Sequence, residues 1–311
     1  MRRGRGLPSR LLALNLALAP EEGTVLPDEP LAAHTTWKIG GPARWFCRVR
    51  TEAALARVLG EAAAQATPLA LLGMGSNILV PDAGFPGVVV RLEGDFLRVE
   101  VEDEHIAAGG GAALGAVSTA AARAGLSGLE PITGIPSSIG AAVRINAGAY
   151  GGEIFDALTE VRLVSPAGET RAARAEEIAH AYRWTRLIET KEIVAWAKLK
   201  LRRAPREEIE AKTRAVAEKR RGALPSEPNA GSVFRNPPGD YAGRLIEACG
   251  LKGTRRGGAA ISPRHANVIV NDGGATAADV LALMRLARDT VRERFGVTLV
   301  PEVELLGMKW E

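Results

Sequence analysis

At 311 residues, with 46% hydrophobic and 24% charged positions, the chain can bury a sizeable core and divide into more than one folding unit. Its net charge of +4 resides in Arg2, Arg3, Arg5 and Arg10, which face no acid in the first ten residues; the remainder is neutral, which argues against a nucleic-acid surface. Two cysteines, Cys47 and Cys249, far apart and in no metal-like spacing, fit a reduced protein without a disulfide framework or a metal site.

Basic residues precede an apolar run over 11–19. That order mimics a secretory signal, but the run is too short to span a bilayer, and residues 1–28 read as an N-terminal extension without a core-facing period. Thr51 is placed to cap a helix over 52–66, in which Leu55, Val58, Leu59 and Ala62 share a face. A short apolar strand over 69–72 runs into Gly73-Met74-Gly75-Ser76-Asn77. Strands are expected over 88–92 and 97–101, with a turn at 102–104. A small-residue helix over 112–124 ends at Gly125. Between strand and helix, Gly109-Gly110-Gly111 reads as a close-packed turn without a ligand. A strand over 158–164 leads into the turn Ser165-Pro166-Ala167-Gly168, and the alternation of residues 193–201 marks a half-buried strand. Pro205 opens a charged helix to about residue 221, whose thin apolar stripe suits a surface connection between two domains. Residues 267–271 read as a strand. Thr276 and Asp279 form a capping pair for a helix carrying Val280, Leu283, Met284, Ala287, Val291 and Phe295, ended by Gly296.

Two glycine-rich segments stand out. Glycine permits positive φ, so in the first segment successive N–H groups can point into one concavity and hold phosphate, with Ser76 and Asn77 adding donors. A dinucleotide fingerprint fails there, because Ile78 stands where a third glycine is needed; taken alone, the segment fits a ligand-free tight turn equally well. The second runs from Gly134-Ile135-Pro136-Ser137-Ser138-Ile139-Gly140 to Asn146-Ala147-Gly148-Ala149-Tyr150-Gly151-Gly152. Two such segments about sixty residues apart argue for one large phosphate-bearing cofactor.

Together with His34-Thr35-Thr36-Trp37-Lys38-Ile39-Gly40-Gly41-Pro42-Ala43, Tyr182-Arg183, Ala230-Gly231-Ser232-Val233-Phe234-Arg235-Asn236-Pro237, His265-Ala266-Asn267 and Pro301-Glu302-Val303, these segments resemble the UDP-N-acetylenolpyruvoylglucosamine reductases, in the family's order from about residue 28 to the C-terminus. The resemblance implies an α+β fold: an FAD-binding unit of the vanillyl-alcohol-oxidase (PCMH) type, made of two subdomains over 29–203, and a C-terminal α/β substrate-binding domain over 204–311. It implies an oxidoreductase acting on a CH–CH group: NADPH reduces non-covalent FAD, which reduces the enolpyruvyl ether of a UDP-sugar to a lactyl ether for peptidoglycan. By the same resemblance Arg183, Ser232 and Glu302 are catalytic. Gly73, Met74, Gly75, Ser76, Asn77, Gly134, Ile135, Pro136, Ser138, Gly140, Asn146, Gly148 and Tyr150 hold the cofactor, and Tyr182, Arg235, Asn236 and His265 meet the substrate. A cytoplasmic monomer without nucleic-acid or membrane partners is expected. Only nine residues, 184–192, separate Arg183 from the next strand, and none is tyrosine, which implies the short-loop (type II-like) form without a tyrosine lid.

The chain departs from the family pattern at Ser137, Ser138 and Ala141, which replace Gly, Thr and Gly, at Arg144, where an apolar residue is common, and at Arg235, where lysine is usual. A flavin oxidase with tethered flavin and a non-catalytic sugar-nucleotide sensor are the competing readings. No His or Cys in the cofactor loops supports the first, and the intact Arg183, Ser232 and Glu302 set argues against the second.

Overall fold

The computed structural model describes residues 16–310, which build three larger sheets, each over its own buried cluster. The first unit runs through β1 (Gly23–Pro30), β2 (Pro42–Val49), α1 (Glu52–Ala64), β3 (Leu69–Leu71), β4 (Ile78–Leu79) and β5 (Phe85–Leu92). Its sheet has the order β1-β2-β5-β3, with β1 antiparallel to β2 and the others parallel. The Thr51 hydroxyl accepts from the Ala54 N–H at 3.3 Å and starts α1, whose anticipated face, Leu55, Val58, Leu59 and Ala62, packs with Cys47, Val49, Val88 and Val90.

Residues 16–28 are not an extension. From residue 23 onward they form β1, in register with β2 from Gly23 opposite Val49 to Pro30 opposite Pro42, and Leu16 is buried in the same cluster as α1. Glu22 accepts from the Ala19 N–H and pairs with Arg57 of α1. Residues 1–15 of the expected extension lie outside the described residues.

The second unit adds β6 (Val99–Glu102), β7 (His105–Gly109), α2 (Leu114–Arg123), α3 (Ile139–Arg144), β8 (Leu158–Val164), β9 (Thr170–Arg174), the short hairpin β10 (His180–Ala181) and β11 (Trp184–Thr185), and β12 (Ile193–Lys200). The order β9-β8-β12-β7-β6 is antiparallel throughout. β6 starts later than its pattern suggests because Gly94–Leu97 forms a 3-10 turn. At Gly110 a Cβ would overlap the Val194 carbonyl, and at Gly109 that of Phe96, so close packing does require the glycine run. Val164, Ile193 and Ala195 join the cluster under α1, which fuses the first two units.

The third unit follows α4 (Arg206–Ala223), a charged helix that buries only Ile209. It comprises β13 (Asn229–Ser232), α5 (Ala242–Ala248), β14 (Arg255–Arg256), β15 (Ala259–Ile261), β16 (Val268–Asn271), α6 (Ala277–Phe295) and β17 (Glu304–Leu305). Its sheet order is β13-β16-β15-β14. Thr276 and Asp279 form the expected capping box on α6, and Gly296 ends the helix at φ 69°. Trp37 from the first unit is fully buried in the third unit's cluster and donates its indole N–H to the Ile269 carbonyl at 2.7 Å. β17 returns to pair in parallel with β4. Among the described residues no helix is long and apolar enough to cross a membrane, and no group of His, Cys, Asp and Glu could hold a metal ion.

Candidate active site

Arg183 occupies the turn of the β10–β11 hairpin with φ 55°. A non-glycine residue in that region carries strain of order 1–3 kcal/mol, so the surroundings must over-determine it. They do: its Nε–H donates to Glu302 Oε1 at 2.8 Å and Nη2 donates to the Gly148 carbonyl at 2.5 Å. Both side chains of the ion pair are mostly buried, 18% and 17% exposed. Glu302 is fixed through its backbone: its N–H donates to the Val233 carbonyl at 2.8 Å, and its carbonyl accepts from the Asn77 amide at 3.1 Å. Burial pushes its carboxyl above the usual carboxylate range, with Arg183 and then Arg235 pulling the other way.

Ser232 ends β13, beside a register shift between Asn229 and Ser232. Gly231, at φ 70°, donates its N–H to Asn229 Oδ1 at 2.8 Å, a turn only glycine makes without strain. Arg183, Ser232 and Glu302 all line one cleft of about 460 Å³, joined there by Gly148, Ser76 and Arg220. The catalytic trio named from sequence, drawn from three separate stretches of chain, therefore meets on one surface.

A second cavity of about 430 Å³ adjoins this cleft through Ser76, Asn77, Ser137 and Ile145. A third, of about 150 Å³, adjoins the second through Leu71, Leu72, Gly73 and Met74. The two glycine segments form this trench: a Cβ on Gly73 would lie 2.8 Å from Ser138 Oγ, and the Ser76 hydroxyl donates to the Pro136 carbonyl. A long cofactor with two ring systems joined by a diphosphate fits such a series, with leucine walls for a ring and small residues and hydroxyls along the loops for phosphate. Gly73, Met74, Gly75, Ser76 and Asn77 would line its middle, Ser138 one end, and Gly134, Ile135, Pro136 and Gly148 the cleft.

The remaining sequence candidates are placed elsewhere. Gly140 locks α3 against the sheet, where a Cβ would come within 2.9 Å of the Gly110 carbonyl. Asn146 is buried at φ 47° and donates to Glu153 at 2.6 Å and to the Ala181 carbonyl at 3.2 Å. Tyr150 and Tyr182 are exposed, the latter with its ring under the Arg183 guanidinium. Asn236 Oδ1 accepts from the Ala242 N–H at 3.1 Å and opens α5. Arg235 lies near enough to act on Glu302, and its Nε is buried without a hydrogen-bond partner. His265 accepts from the Asn267 N–H at 3.2 Å and is held below the usual histidine range by burial, hence neutral at pH 7. None of these seven is among the residues lining the three cavities.

Sequence reasoning missed Arg220. It lies in the last turn of α4 and reaches across Gly134 into the cleft, where burial lowers its pKa against an opposing effect of Tyr150. No periodic signal marks it, because α4 reads as a charged surface helix whose apolar stripe is thin. The altered loop proves compact: the Ser137 hydroxyl folds back to the Ser138 carbonyl at 3.0 Å, and Ser138 caps α3 by accepting from the Ala141 N–H at 3.4 Å. The segment 184–192 holds only β11 and one helical turn, Leu187–Thr190, before β12.

The protein family described as UDP-N-acetylenolpyruvoylglucosamine reductase, C-terminal domain, matches residues 224–306, and an FAD binding domain family matches residues 43–174. The UDP-N-acetylenolpyruvoylglucosamine reductase 2 of Symbiobacterium thermophilum is 46% identical over 288 residues, covering 92% of this chain and 94% of that protein. The corresponding reductase of Heliobacterium modesticaldum is 46% identical over 287 residues, 92% of this chain and 91% of that one. The crystal structure of UDP-N-acetylenolpyruvylglucosamine reductase from Thermus caldophilus is similar with a TM-score of 0.79 at 40% identity, covering 91% of this chain and 98% of that chain.

Proposed function

The chain belongs to the UDP-N-acetylenolpyruvoylglucosamine reductase family, and from that premise we propose that Arg183, Ser232 and Glu302 form its reaction centre. The protein is a flavoenzyme that reduces UDP-N-acetylglucosamine enolpyruvate to UDP-N-acetylmuramate in peptidoglycan synthesis. When bound, FAD supplies the hydride, taken from NADPH, to the terminal alkene carbon.

Hydride addition leaves negative charge on the carbon bearing the ether and the carboxylate, delocalised into an enolate. A fixed cation must steady that charge, and Arg183 has the planar, permanently charged fork for it. Glu302 holds that fork through its 2.8 Å bond and balances its charge when the substrate is absent. Ser232 offers the hydroxyl proton to the substrate carbon, with Gly231 leaving room for close approach. The observation that carries this reading is the convergence of all three on the lining of one cleft beside the trench of the glycine loops. Tyr182, Arg235, Asn236 and His265 belong to the same proposal as substrate-binding residues, with Arg235 and Asn236 at the UDP part. The family matches at 43–174 and 224–306 support a division into an FAD-binding unit and a substrate-binding unit near residue 203. The reading extends to a cytoplasmic monomer, the compartment following from a UDP-sugar substrate; size-exclusion chromatography checks the monomer.

NADPH oxidation by the flavin-loaded protein, with and without the enolpyruvyl substrate, tests the whole. Oxidation that is strictly stimulated by the substrate and yields the lactyl ether is expected, with all flavin released by acid denaturation. Equal oxidation without substrate, or flavin retained by the denatured chain, would refute it.

A further inference from the structure

Arg144 stands where the family commonly has an apolar residue, and its surroundings give it a task. It ends α3, and with Ala141 and Ile145 it shares one helix face, at i, i+3 and i+4, directed at the trench beside Ser76, Asn77 and Ser137. The cations lining this cavity are Arg144 and Lys191; the acids are Glu192 and Glu304. Glu192 is committed to Arg171 at 2.6 Å and to Thr190 at 2.9 Å. Arg144 instead pairs with Glu304 at 2.8 Å, whose side chain is 47% exposed. A half-exposed ion pair is weak and readily exchanged, whereas an arginine facing phosphate makes short, charge-assisted bonds. The same loop carries Ser137 and Ala141, whose side chains take up room that glycine would leave for backbone to approach a phosphate.

Resting on the FAD reading above, we propose that Arg144 is a cofactor-binding residue of this chain, a cation that leaves Glu304 for the cofactor's diphosphate and compensates the altered loop. Glu304, 47% exposed, is then a partner that Arg144 can exchange for phosphate.

The test measures binding, not turnover. Flavin is stripped from the full-length protein, and affinities for FAD, FMN and riboflavin are read from flavin fluorescence at several salt concentrations, for the wild type, Arg144→Met, Arg144→Gln and Glu304→Gln. Removing the charge should weaken FAD by roughly tenfold or more, the usual worth of a charge-assisted bond. It should also flatten the salt dependence of FAD binding and leave riboflavin, which has no phosphate, unchanged. Glu304→Gln should bind FAD at least as tightly as the wild type. Wild-type affinity and salt slope in both Arg144 variants would overturn the proposal. So would equal weakening of all three flavins by the Arg144 and Glu304 variants, which would make the pair a structural strap. Arg144→Gln, which keeps hydrogen bonding, covers a failure of Arg144→Met to fold. A wild type that binds no flavin would sink the cofactor reading itself.

Discussion

Ser232, at the end of β13, and Glu302, in the stretch before β17, are ordinary residues by type, and only their motif neighbours pointed to them. Their roles separate by experiment. If Ser232 supplies only the substrate proton, Ser232→Ala should leave flavin reduction by NADPH unchanged and slow its reoxidation by the enolpyruvyl substrate roughly 10²- to 10⁴-fold, with little change in substrate affinity. Stopped-flow absorbance reads each half-reaction, and equal slowing of both would assign Ser232 a structural role. For Glu302 the sign follows from burial, which raises its pKa above 4.5. Below 4.5 the carboxyl is protonated in folded and unfolded chains alike, and its burial carries no ionisation penalty. As pH rises, the unfolded chain ionises first, so stability falls until the raised value is passed. Glu302→Gln removes that dependence, so its melting temperature relative to the wild type should climb as pH rises from 4.5 through the raised value. A relative melting temperature that falls over this range would mean that the Arg183 pair outweighs desolvation. Motif identity made these positions legible. Arg220 was not, because a single arginine in a charged helix carries no signal until the helix is placed over the cleft.

Helices and buried strands were readable because their periods are strong: α1, α6, β8 and β12 lie where the alternation and caps put them. β1 was not. It is an edge strand, partly exposed on both faces, and it carries Gly23, Pro27 and Pro30, so it lacks the two-residue period that burial on one face imposes. Its packing nevertheless has consequences. Deleting residues 1–25 strips Leu16 from the cluster under α1 and removes the first three β1–β2 pairs. Burying a leucine contributes about 1.5–3 kcal/mol, and each kcal/mol moves the melting temperature of a chain this size by roughly 2–4 °C. A loss of at least about 5 °C is expected by scanning calorimetry, and an unchanged transition would show that the segment is dispensable. Glu22 adds an acid-sensitive tie. The hydrogen bond from Arg57, and then that from the Ala19 N–H, lower its pKa from 4.5 to about 2. Its contribution is therefore present above 4.5 and is lost as pH falls toward about 2. Glu22→Gln should flatten the acid limb of the stability profile without altering the neutral limb's slope.

Across the molecule, the trench and cleft work only while the third unit stays against the fused first and second units, since Arg183 and Gly148 come from the second unit and Ser232 and Glu302 from the third. Three ties hold it. Trp37 donates to Ile269 and its carbonyl accepts from the Asn271 amide at 2.9 Å; Asp82 accepts from the Ala277 and Ala278 N–H groups at 2.8 and 3.1 Å; and β17 pairs with β4. The stretch around Trp37 was legible as a family signature but not as a clamp, because the indole's acceptor lies 232 residues away and no local pattern joins them. α6 already has its own capping box, so the Asp82 carboxylate adds a second set of acceptors from another unit. Losing a cap costs about 0.5–2 kcal/mol, and leaving a buried carbonyl without its donor about 1–3 kcal/mol. The lost cap falls on the union of the units, and the Trp37 loss on the third unit's cluster where the first unit enters it. Asp82→Ala combined with Trp37→Phe should therefore speed hydrogen exchange of the amides in β16 and α6 by roughly tenfold or more while β8 and β12 keep their protection, because opening becomes local to the third unit. Native-state exchange read by mass spectrometry measures this directly. Protection lost evenly across all three sheets would mean that the chain opens only as a whole, and that the ties stabilise one cooperative body instead of holding one unit against another.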